Sequence, residues 1–261
     1  MRVMKDNIEY WDKRTKEVGH TGWYDPVIYS FDPKVRLKTI ERIRRNERYS
    51  NMLDFGGGDG DFSKMASQYS DNVLLYDISA EVIKRAKKKN GHIRNIEYET
   101  KWNNITSRKF DCIIAVTVLQ HFLNDDDLED KQRGLKEVLN KNGKLIILED
   151  TFSDEESVDE YTKYRTQKHF EELLFKAGFN FEKTGFYHPL NNPTKDFNDY
   201  YRKDRLVMHI RKQFSMKRYR WARFLVKILK RDRKYLFRTN MVEDYIHNAS
   251  EQDISCIYVC R

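Results

Sequence analysis

A glycine-rich turn follows the first strongly apolar run of the chain. The run Tyr49 to Phe55 leads into Gly56, Gly57, Gly58 and Gly60, and an amphipathic pattern begins at Phe62. Glycines at such a turn let a strand pass into a helix while backbone amides approach a ligand closely. The turn therefore predicts a strand–loop–helix unit with a small-molecule site at the loop.

Apolar runs and helical patterns alternate after this turn, and Gly143 and Gly178 stand where two of the helices are expected to stop. Such alternation predicts right-handed crossovers and an α/β fold, a doubly wound, mostly parallel sheet. We expect seven strands, within the runs Tyr49 to Phe55, Val73 to Ile78, Ile93 to Tyr98, Phe110 to Leu119, Lys144 to Leu148, Phe179 to Tyr187 and Ile254 to Cys260.

The chain of 261 residues is long enough for one such core with additions. Segment 1–48 is rich in aromatic residues and predicts an N-terminal helical cap. Residues 49–187 form the expected core, 188–253 a basic helical insert or substrate cap, and 254–261 the final core strand. The amino terminus lacks the features of a signal peptide and no apolar run approaches the roughly 20 residues of a membrane span, so we expect a cytoplasmic protein. The three cysteines are expected in the core.

Carboxylates surround the glycine loop. Asp54, Asp59 and Asp61 lie within or beside it and would repel a pyrophosphate, so they favour a cationic ligand. Asp77 lies 21 residues after Gly56, at the end of the second strand, where a carboxylate can accept hydrogen bonds from both ribose hydroxyls of an adenosine. Ile78 beside it can cover one face of the adenine. As an alternative, Asp77 alone would fit a helix cap.

Three segments resemble motifs of the class I S-adenosylmethionine-dependent methyltransferases, which have a Rossmann-like fold. Leu-Asp-Phe-Gly-Gly-Gly-Asp-Gly at 53–60 resembles their motif I, Tyr-Asp-Ile-Ser-Ala-Glu-Val-Ile-Lys-Arg-Ala at 76–86 their second-strand motif, and Phe-Asp-Cys-Ile-Ile-Ala-Val-Thr-Val-Leu-Gln-His-Phe at 110–122 their fourth-strand motif. The resemblance implies S-adenosyl-L-methionine as cofactor and S-adenosyl-L-homocysteine as product. It further implies that the glycine loop, with Asp54, holds the methionine part and Asp77 the ribose. Glu99 is the candidate for the acidic third-strand position, and the backbone of Thr117 is expected near the methionine ammonium.

Methyl transfer to a hydroxyl group requires a base for the hydroxyl proton. His121 follows the fourth strand at the ligand end and is our candidate base, although a purely structural hydrogen bond to the backbone is the alternative. Asp150 is the second catalytic candidate. No metal is expected, because Thr117 and Gln120 stand where some relatives carry the two carboxylates of a Glu-x-x-Glu-His motif, and a divalent ion prefers such carboxylates. Candidate substrate-binding residues are Glu149, His20, Tyr29, Arg165 and His188.

A strongly basic segment precedes the last strand. Residues 202–238 carry fifteen Lys or Arg and two Asp, a net charge of 15 − 2 = +13. From Trp221 the apolar residues follow helical spacing with basic residues between them, which predicts an amphipathic helix with a cationic face. Three roles remain open: packing on this protein or on a second subunit as a homo-oligomer, peripheral contact of 217–238 with an anionic membrane, and attraction of a phosphorylated substrate or RNA.

These observations predict a methyltransferase that acts on a small polar acceptor, with phosphorylated acceptors included. We expect O-methylation of a sugar, a nucleotide sugar or a glycan precursor. N-methylation of a small metabolite is the alternative, and RNA methylation through the basic insert is a further one, although no appended RNA-binding module is visible.

Overall fold

The computed structural model describes most of the chain. The described residues are 2–22, 26–151, 155–186, 224, 228, 246–248 and 255–261, and of residues 2–6, 26–28, 30, 31 and 246–248 only the backbone is described. The predicted site residue His188 and nearly all of the basic insert lie outside these ranges.

Helices and strands alternate through the core. The helices are α1 (Arg2–Val18), α2 (Pro26–Arg44), α3 (Asp61–Ala66), α4 (Ala80–Asn90), α5 (Asp125–Val138) and α6 (Gln167–Lys176), with short 3-10 turns at Trp102–Asn104 and Leu119–His121. The strands are β1 (Tyr49–Phe55), β2 (Ser70–Tyr76), β3 (Ile96–Glu99), β4 (Phe110–Val116), β5 (Leu139–Asp150), β6 (Ser157–Val158), β7 (Lys163–Tyr164), β8 (Phe181–Phe186), β9 (Ile246–Asn248) and β10 (Ser255–Cys260).

One large sheet has the strand order β3-β2-β1-β4-β5-β10-β8-β9. Strands β1 to β5 are parallel, and β10 runs antiparallel between β5 and β8. All seven expected strands are present, so the mostly parallel α/β fold is confirmed. Strand β9 is an addition at the sheet edge, antiparallel to β8, inside the segment 188–253 that the sequence predicts to be helical.

Apolar side chains cover both faces of the sheet, because neighbouring residues of a strand point to opposite sides. Met52 belongs to the cluster that α2, α3 and α4 cover, and Leu53 to the cluster under α5 and α6. Each is at most 1% exposed, and full burial of such a side chain contributes about 1.5–3 kcal/mol. Cys112, Cys256 and Cys260 are buried free thiols, as expected. No helix among the described residues is long and apolar enough to cross a membrane.

The carboxyl ends of the central strands meet at one edge of the sheet. Phe55 of β1 pairs with Tyr76 of β2 and with Ala115 of β4, and Val116 of β4 pairs with Leu148 of β5. The residues that follow these ends are therefore neighbours in space. In open parallel sheets ligands bind at this edge. Helices α1 and α2, within the predicted cap 1–48, contribute side chains to the same region.

Candidate active site

The glycine loop fits tightly against the end of β4. Gly56, Gly58 and Gly60 have φ angles of +70°, +51° and +76°, a region that favours glycine. A Cβ atom on Gly56 would lie 2.2 Å from Cγ2 of Val118. The amides of Gly56 and Gly57 both donate to the carbonyl of Tyr76, at 2.8 and 3.0 Å. Only glycine permits this backbone course, which leaves a cradle where side chains would otherwise stand.

Asp77 is built into the base of this cradle. Its Oδ2 accepts from the Gly58 amide at 3.2 Å and its Oδ1 from the Ser79 amide at 3.0 Å. The side chain is buried, and burial raises the pKa of Asp77 to about 6, so the carboxylate is ionised at neutral pH. Each oxygen of an ionised carboxylate has about two lone-pair sites. One site on each oxygen thus remains for a ligand, which fits the two hydroxyls of a ribose.

The three loop carboxylates are less alike than the sequence suggests. Asp59 binds Arg85 at 2.9 Å and accepts from the Tyr29 hydroxyl at 2.9 Å, and Asp61 binds Lys89 at 2.5 Å. Two of the three charges are thus compensated within the protein. The prediction that all three carboxylates attract a cationic ligand is therefore wrong for Asp59 and Asp61, whose charges are paired with Arg85 and Lys89.

Asp54 is the carboxylate of this group without a salt bridge among the described residues. It accepts from the Ser63 hydroxyl at 2.6 Å, and burial raises its pKa to about 7. Asp54 therefore joins the end of β1 to the first turn of α3 and lies beside the cradle. Asp77 supplies uncompensated negative charge there, and Asp54 adds to it in its ionised form.

A cavity of about 1030 Å³ extends from the glycine loop to the cap helices. Pockets of roughly 300–1,000 Å³ are usual for small ligands, so this volume suffices for an adenosine cofactor together with an acceptor. Among the residues predicted from the sequence, those that line the cavity are Asp54, Gly56, Gly57, Gly58, Asp77, Ile78, Thr117, His121, Asp150 and Tyr29. Those that do not are Gly60, Glu99, Glu149, His20 and Arg165.

The carboxylate of Glu99 stabilises the turn after β3 through hydrogen bonds. It accepts from the amides of Thr100 and Lys101 and from Nδ2 of Asn104, at 2.7 to 2.8 Å, and these bonds lower its pKa. The turn places Trp102 in the cavity lining, beside Ile78 in the same apolar cluster. Trp102 was not predicted from the sequence. An aromatic residue shortly after the third strand was the available signal.

Thr117 adopts a strained backbone conformation. Its φ of +48° is unusual for a β-branched residue, and such strain costs of order 1–3 kcal/mol and clusters at functional sites. Its amide donates to the carbonyl of Leu148 at 2.8 Å, which ties β4 to β5. An ammonium group only donates hydrogen bonds, so a ligand ammonium would meet the carbonyl oxygen of Thr117.

His121 lies at the cap end of the cavity. Its Nδ1 is 2.8 Å from the carbonyl of Tyr161, so Nδ1 carries the proton of the neutral ring. Burial lowers the pKa of His121, with the bond to Tyr161 and the charge of Asp159 acting in the opposite direction. Trp11 of α1 meets the ring edge-on at 4.9 Å. His121 is therefore a neutral imidazole whose Nε2 is the basic nitrogen.

The two acidic residues at the end of β5 differ in environment. Glu149 is buried and accepts from the Leu119 amide at 2.8 Å; burial raises its pKa to about 8. Asp150 lines the cavity, accepts from the Ser255 hydroxyl at 2.6 Å and lies 3.7 Å from Arg36. Asp150 can therefore contact a ligand, whereas Glu149 supports the turn that leads to His121.

His20 and Arg165, two other predicted substrate-binding residues, make structural contacts around the cavity and do not line it. The His20 ring is completely buried and stacks on Tyr29 at 3.7 Å. Arg165 is 2% exposed, binds Asp125 at 2.7 Å and donates to the carbonyl of Phe122 at 2.6 Å. No group of three or more metal-ligating side chains occurs among the described residues.

Residues 53–145 match the family model described as "Methyltransferase domain". An "Uncharacterized methyltransferase" of Anoxybacillus flavithermus (strain DSM 21510 / WK1) is 25% identical over 155 residues, which are 58% of this chain and 73% of that protein. Phosphoethanolamine N-methyltransferase 3 of Arabidopsis thaliana is 26% identical over 170 residues, which are 62% of this chain and only 32% of that protein.

The fold also matches a solved structure described as the DhpI complex with S-adenosylhomocysteine. The TM-score is 0.55 at 19% identity, over 69% of this chain and 90% of that one. The domain match, the fold and the glycine cradle with Asp77 define a class I, Rossmann-like methyltransferase. Residues 53–145 therefore form a methyltransferase domain, and the chain is an S-adenosylmethionine-dependent methyltransferase.

Proposed function

We propose that this enzyme methylates a hydroxyl group of a small polar acceptor, of the kind found in sugars, nucleotide sugars and glycan precursors. The observation that carries the proposal is His121, a half-buried neutral imidazole at the cavity wall with its Nδ1–H held by a backbone carbonyl. A hydroxyl acceptor must lose a proton as its oxygen gains the methyl group, and a neutral imidazole is suited to take it.

S-adenosylmethionine supplies a methyl group on a positively charged sulfur. The protein positions the cofactor and the acceptor and removes the hydroxyl proton. Gly56, Gly58 and Asp77 hold the cofactor in this proposal. His121 removes the hydroxyl proton at Nε2 while the acceptor oxygen forms its bond to the methyl carbon and the carbon–sulfur bond breaks. The products are a methyl ether, S-adenosylhomocysteine and a protonated His121, which returns its proton to solvent. Asp150 accepts a hydrogen bond from another acceptor hydroxyl.

The described cations give limited support to a phosphorylated acceptor. Arg36 lines the cavity, but Asp32 binds it at 3.0 Å and Asp150 lies nearby. Arg14 also lines the cavity and donates to the Gly22 carbonyl and to the Tyr10 hydroxyl. Lys101 and Lys131 also line the cavity, and Nζ of Lys131 lies 4.0 Å from the centroid of the Trp102 ring.

The test compares His121→Gln with His92→Gln, the same change at an exposed histidine. A panel of sugars, nucleotide sugars and glycan precursors is incubated with labelled methyl donor, and the labelled product is tested for stability as an ether. We expect His121→Gln to lower kcat by about 10²- to 10⁴-fold with cofactor affinity unchanged, and His92→Gln to match the wild type. A panel in which only amines or RNA become labelled would refute O-methylation.

N-methylation of a small metabolite is the second candidate. Asp150 and Asp159 line the acceptor end together with the aromatic residues Tyr10 and Trp11, and carboxylates and aromatic rings both attract an ammonium group. The Arabidopsis relative is named a phosphoethanolamine N-methyltransferase. A panel of primary and secondary amines in the same assay separates the two candidates directly.

The role of the basic segment is a separate proposal. Phe224 and Ile228 are helical, four residues apart, and 52% and 56% exposed, and the charge around them in the sequence is strongly positive. These features support contact of 217–238 with an anionic surface. Co-sedimentation with vesicles of anionic and of neutral lipid tests this role. Salt-sensitive binding of RNA without vesicle binding would favour RNA, and a concentration-dependent mass in solution would favour a homo-oligomer.

A further inference from the structure

We propose that Asp159 is a positioning residue for His121: it shapes the turn whose carbonyl fixes the tautomer of the imidazole, and its charge supports the protonated ring. The inference rests on the proposed role of His121 as the base. Asp159 lies 38 residues further along the chain, in the turn between β6 and β7, and it lines the same cavity.

The side chain of Asp159 closes this turn. Its Oδ1 accepts from the amides of Tyr161 at 2.9 Å and Thr162 at 2.7 Å, and the Asp159 amide donates to the Thr162 carbonyl at 2.8 Å. A side chain that binds backbone amides two and three residues ahead fixes the peptide planes between them. The carbonyl of Tyr161 shares a peptide plane with the Thr162 amide, so the bond from that amide to Asp159 holds the plane directly. This is the carbonyl that meets Nδ1 of His121 at 2.8 Å.

A carbonyl oxygen can only accept a hydrogen bond, so it selects the neutral tautomer with the proton on Nδ1. That tautomer has its lone pair on Nε2, and Nε2 has no hydrogen-bond partner among the residues that the structure describes. If the Tyr161 carbonyl turned away, the tautomer with the proton on Nε2 would gain population. His121 would then present a donor where the reaction needs an acceptor.

The turn belongs to the β6–β7 hairpin, and salt bridges from Lys163 in β7 and from Arg165 hold this hairpin against the rest of the protein. Lys163 binds both oxygens of Asp125, at 2.9 and 2.8 Å, and Arg165 binds Asp125 and the carbonyl of Phe122, the residue after His121. The Tyr161 ring stacks on Tyr10 of α1 at 3.7 Å. These contacts hold the turn beside the histidine, so a local change at Asp159 acts on the carbonyl without releasing the hairpin.

The charges that face His121 oppose one another. Asp159 on the hairpin raises the pKa of the imidazole, and Arg14 on α1 lowers it. Among the residues that the structure describes, two further contacts of the ring are uncharged: the Trp11 ring at 4.9 Å and the Thr162 hydroxyl at 3.5 Å from Nδ1. Asp159 is therefore the carboxylate that stabilises the imidazolium formed when the base takes the hydroxyl proton.

Two substitutions separate geometry from charge. Asp159→Asn keeps an oxygen that can accept from both amides and removes the charge, whereas Asp159→Ala removes both. Asp126→Asn, at an exposed position of α5, controls for the loss of one nearby negative charge. Each variant of the full chain is titrated by NMR with the His121 ring labelled, which reports its pKa and its tautomer without turnover.

We expect Asp159→Asn to lower the pKa of His121 with the Nδ1–H tautomer retained, and to shift the acidic limb of the kcat profile to lower pH. In Asp159→Ala the tautomer with the proton on Nε2 should appear and kcat should fall roughly tenfold or more, with cofactor affinity unchanged. Asp126→Asn should match the wild type.

Unchanged pKa and unchanged tautomer in both Asp159 variants would overturn the proposal, and Asp159→Asn keeps this test valid even where the alanine variant folds poorly. The proposed base role can fail independently. If the Asp159 variants change the ring as expected while His121→Gln retains full turnover, the positioning stands and the base assignment falls.

Discussion

Asp77→Asn is the substitution with the best-defined expected effect on cofactor binding. In the structure both carboxylate oxygens already accept one backbone amide, at 3.2 and 3.0 Å. An amide side chain has one acceptor oxygen, so its NH₂ group must face one of these N–H donors. The variant loses the charge that strengthens hydrogen bonds from ribose hydroxyls and also loses acceptor capacity. Each bond to a charged group is worth about 1.5–3 kcal/mol.

Loss of one such bond and weakening of the other predict a cofactor binding free energy weaker by about 1.5–3 kcal/mol, which raises Kd roughly 10- to 150-fold. The assay is isothermal titration calorimetry with S-adenosylhomocysteine. The control is Asp71→Asn, the same change at the opposite, exposed end of β2, the strand that Asp77 follows. A folded Asp77→Asn protein whose Kd stays within about threefold of the Asp71→Asn value would refute the ribose assignment.

The raised pKa of Asp77 predicts that the affinity for the cofactor depends on pH. Because burial raises that pKa to about 6, the carboxylate is protonated as the pH falls through this value and becomes a poorer acceptor. We expect the wild-type Kd for S-adenosylhomocysteine to rise between about pH 7 and about pH 5. The Asp77→Asn protein should lack this part of the pH dependence, and an identical dependence in both proteins would contradict the assignment.

The remaining predictions concern stability. Gly56→Ala should lower the free energy of unfolding by about 1–3 kcal/mol more than Gly178→Ala in chemical denaturation, because both glycines have positive φ but only Gly56 has no room for a Cβ; equal losses would contradict the tight fit. Tyr29→Phe should cost about 1 kcal/mol through its lost bond to the glycine loop. Tyr98→Phe should cost nothing, because the buried Tyr98 hydroxyl has no hydrogen-bond partner among the described residues. The pKa of Glu149 is about 8 against a usual 4.5, so its contribution to stability is complete below about pH 4.5 and is lost as the pH rises to about 8. Glu149→Gln should flatten this loss in thermal melts from about pH 4.5 to about pH 8.

Local patterns predicted the strands well, because a sheet buried on both faces requires continuous apolar runs. The two glycines predicted to stop helices show the limit of this approach. Gly178, with φ +86°, follows α6 as expected. Gly143 lies inside β5, where a Cβ would meet the Phe110 carbonyl at 2.9 Å beside a register shift between β4 and β5. The helix-stop prediction for Gly143 was wrong, because a close approach between strands also requires glycine.

The active site also contains some features that the sequence could predict and others that it could not. Asp77 and Thr117 follow strand ends, so their neighbourhood could be predicted from the order of the strands. The pairing of Asp59 with Tyr29 joins residues 30 apart, and the bond from His121 to Tyr161 joins residues 40 apart. Contacts of this kind depend on how the cap and the hairpin pack, which no local pattern encodes. The charge of the glycine loop was overestimated for the same reason, since its cationic partners come from another helix.

A crystal structure of the full chain with S-adenosylhomocysteine would test the central claim most directly. The account predicts both ribose hydroxyls within hydrogen-bond distance of the Asp77 carboxylate and the homocysteine part along Gly56 to Gly58. It also predicts that the sulfur faces the acceptor end of the cavity, where His121 and Asp150 lie. Density for the ligand away from this cavity, or an adenosine whose ribose makes no contact with Asp77, would contradict it.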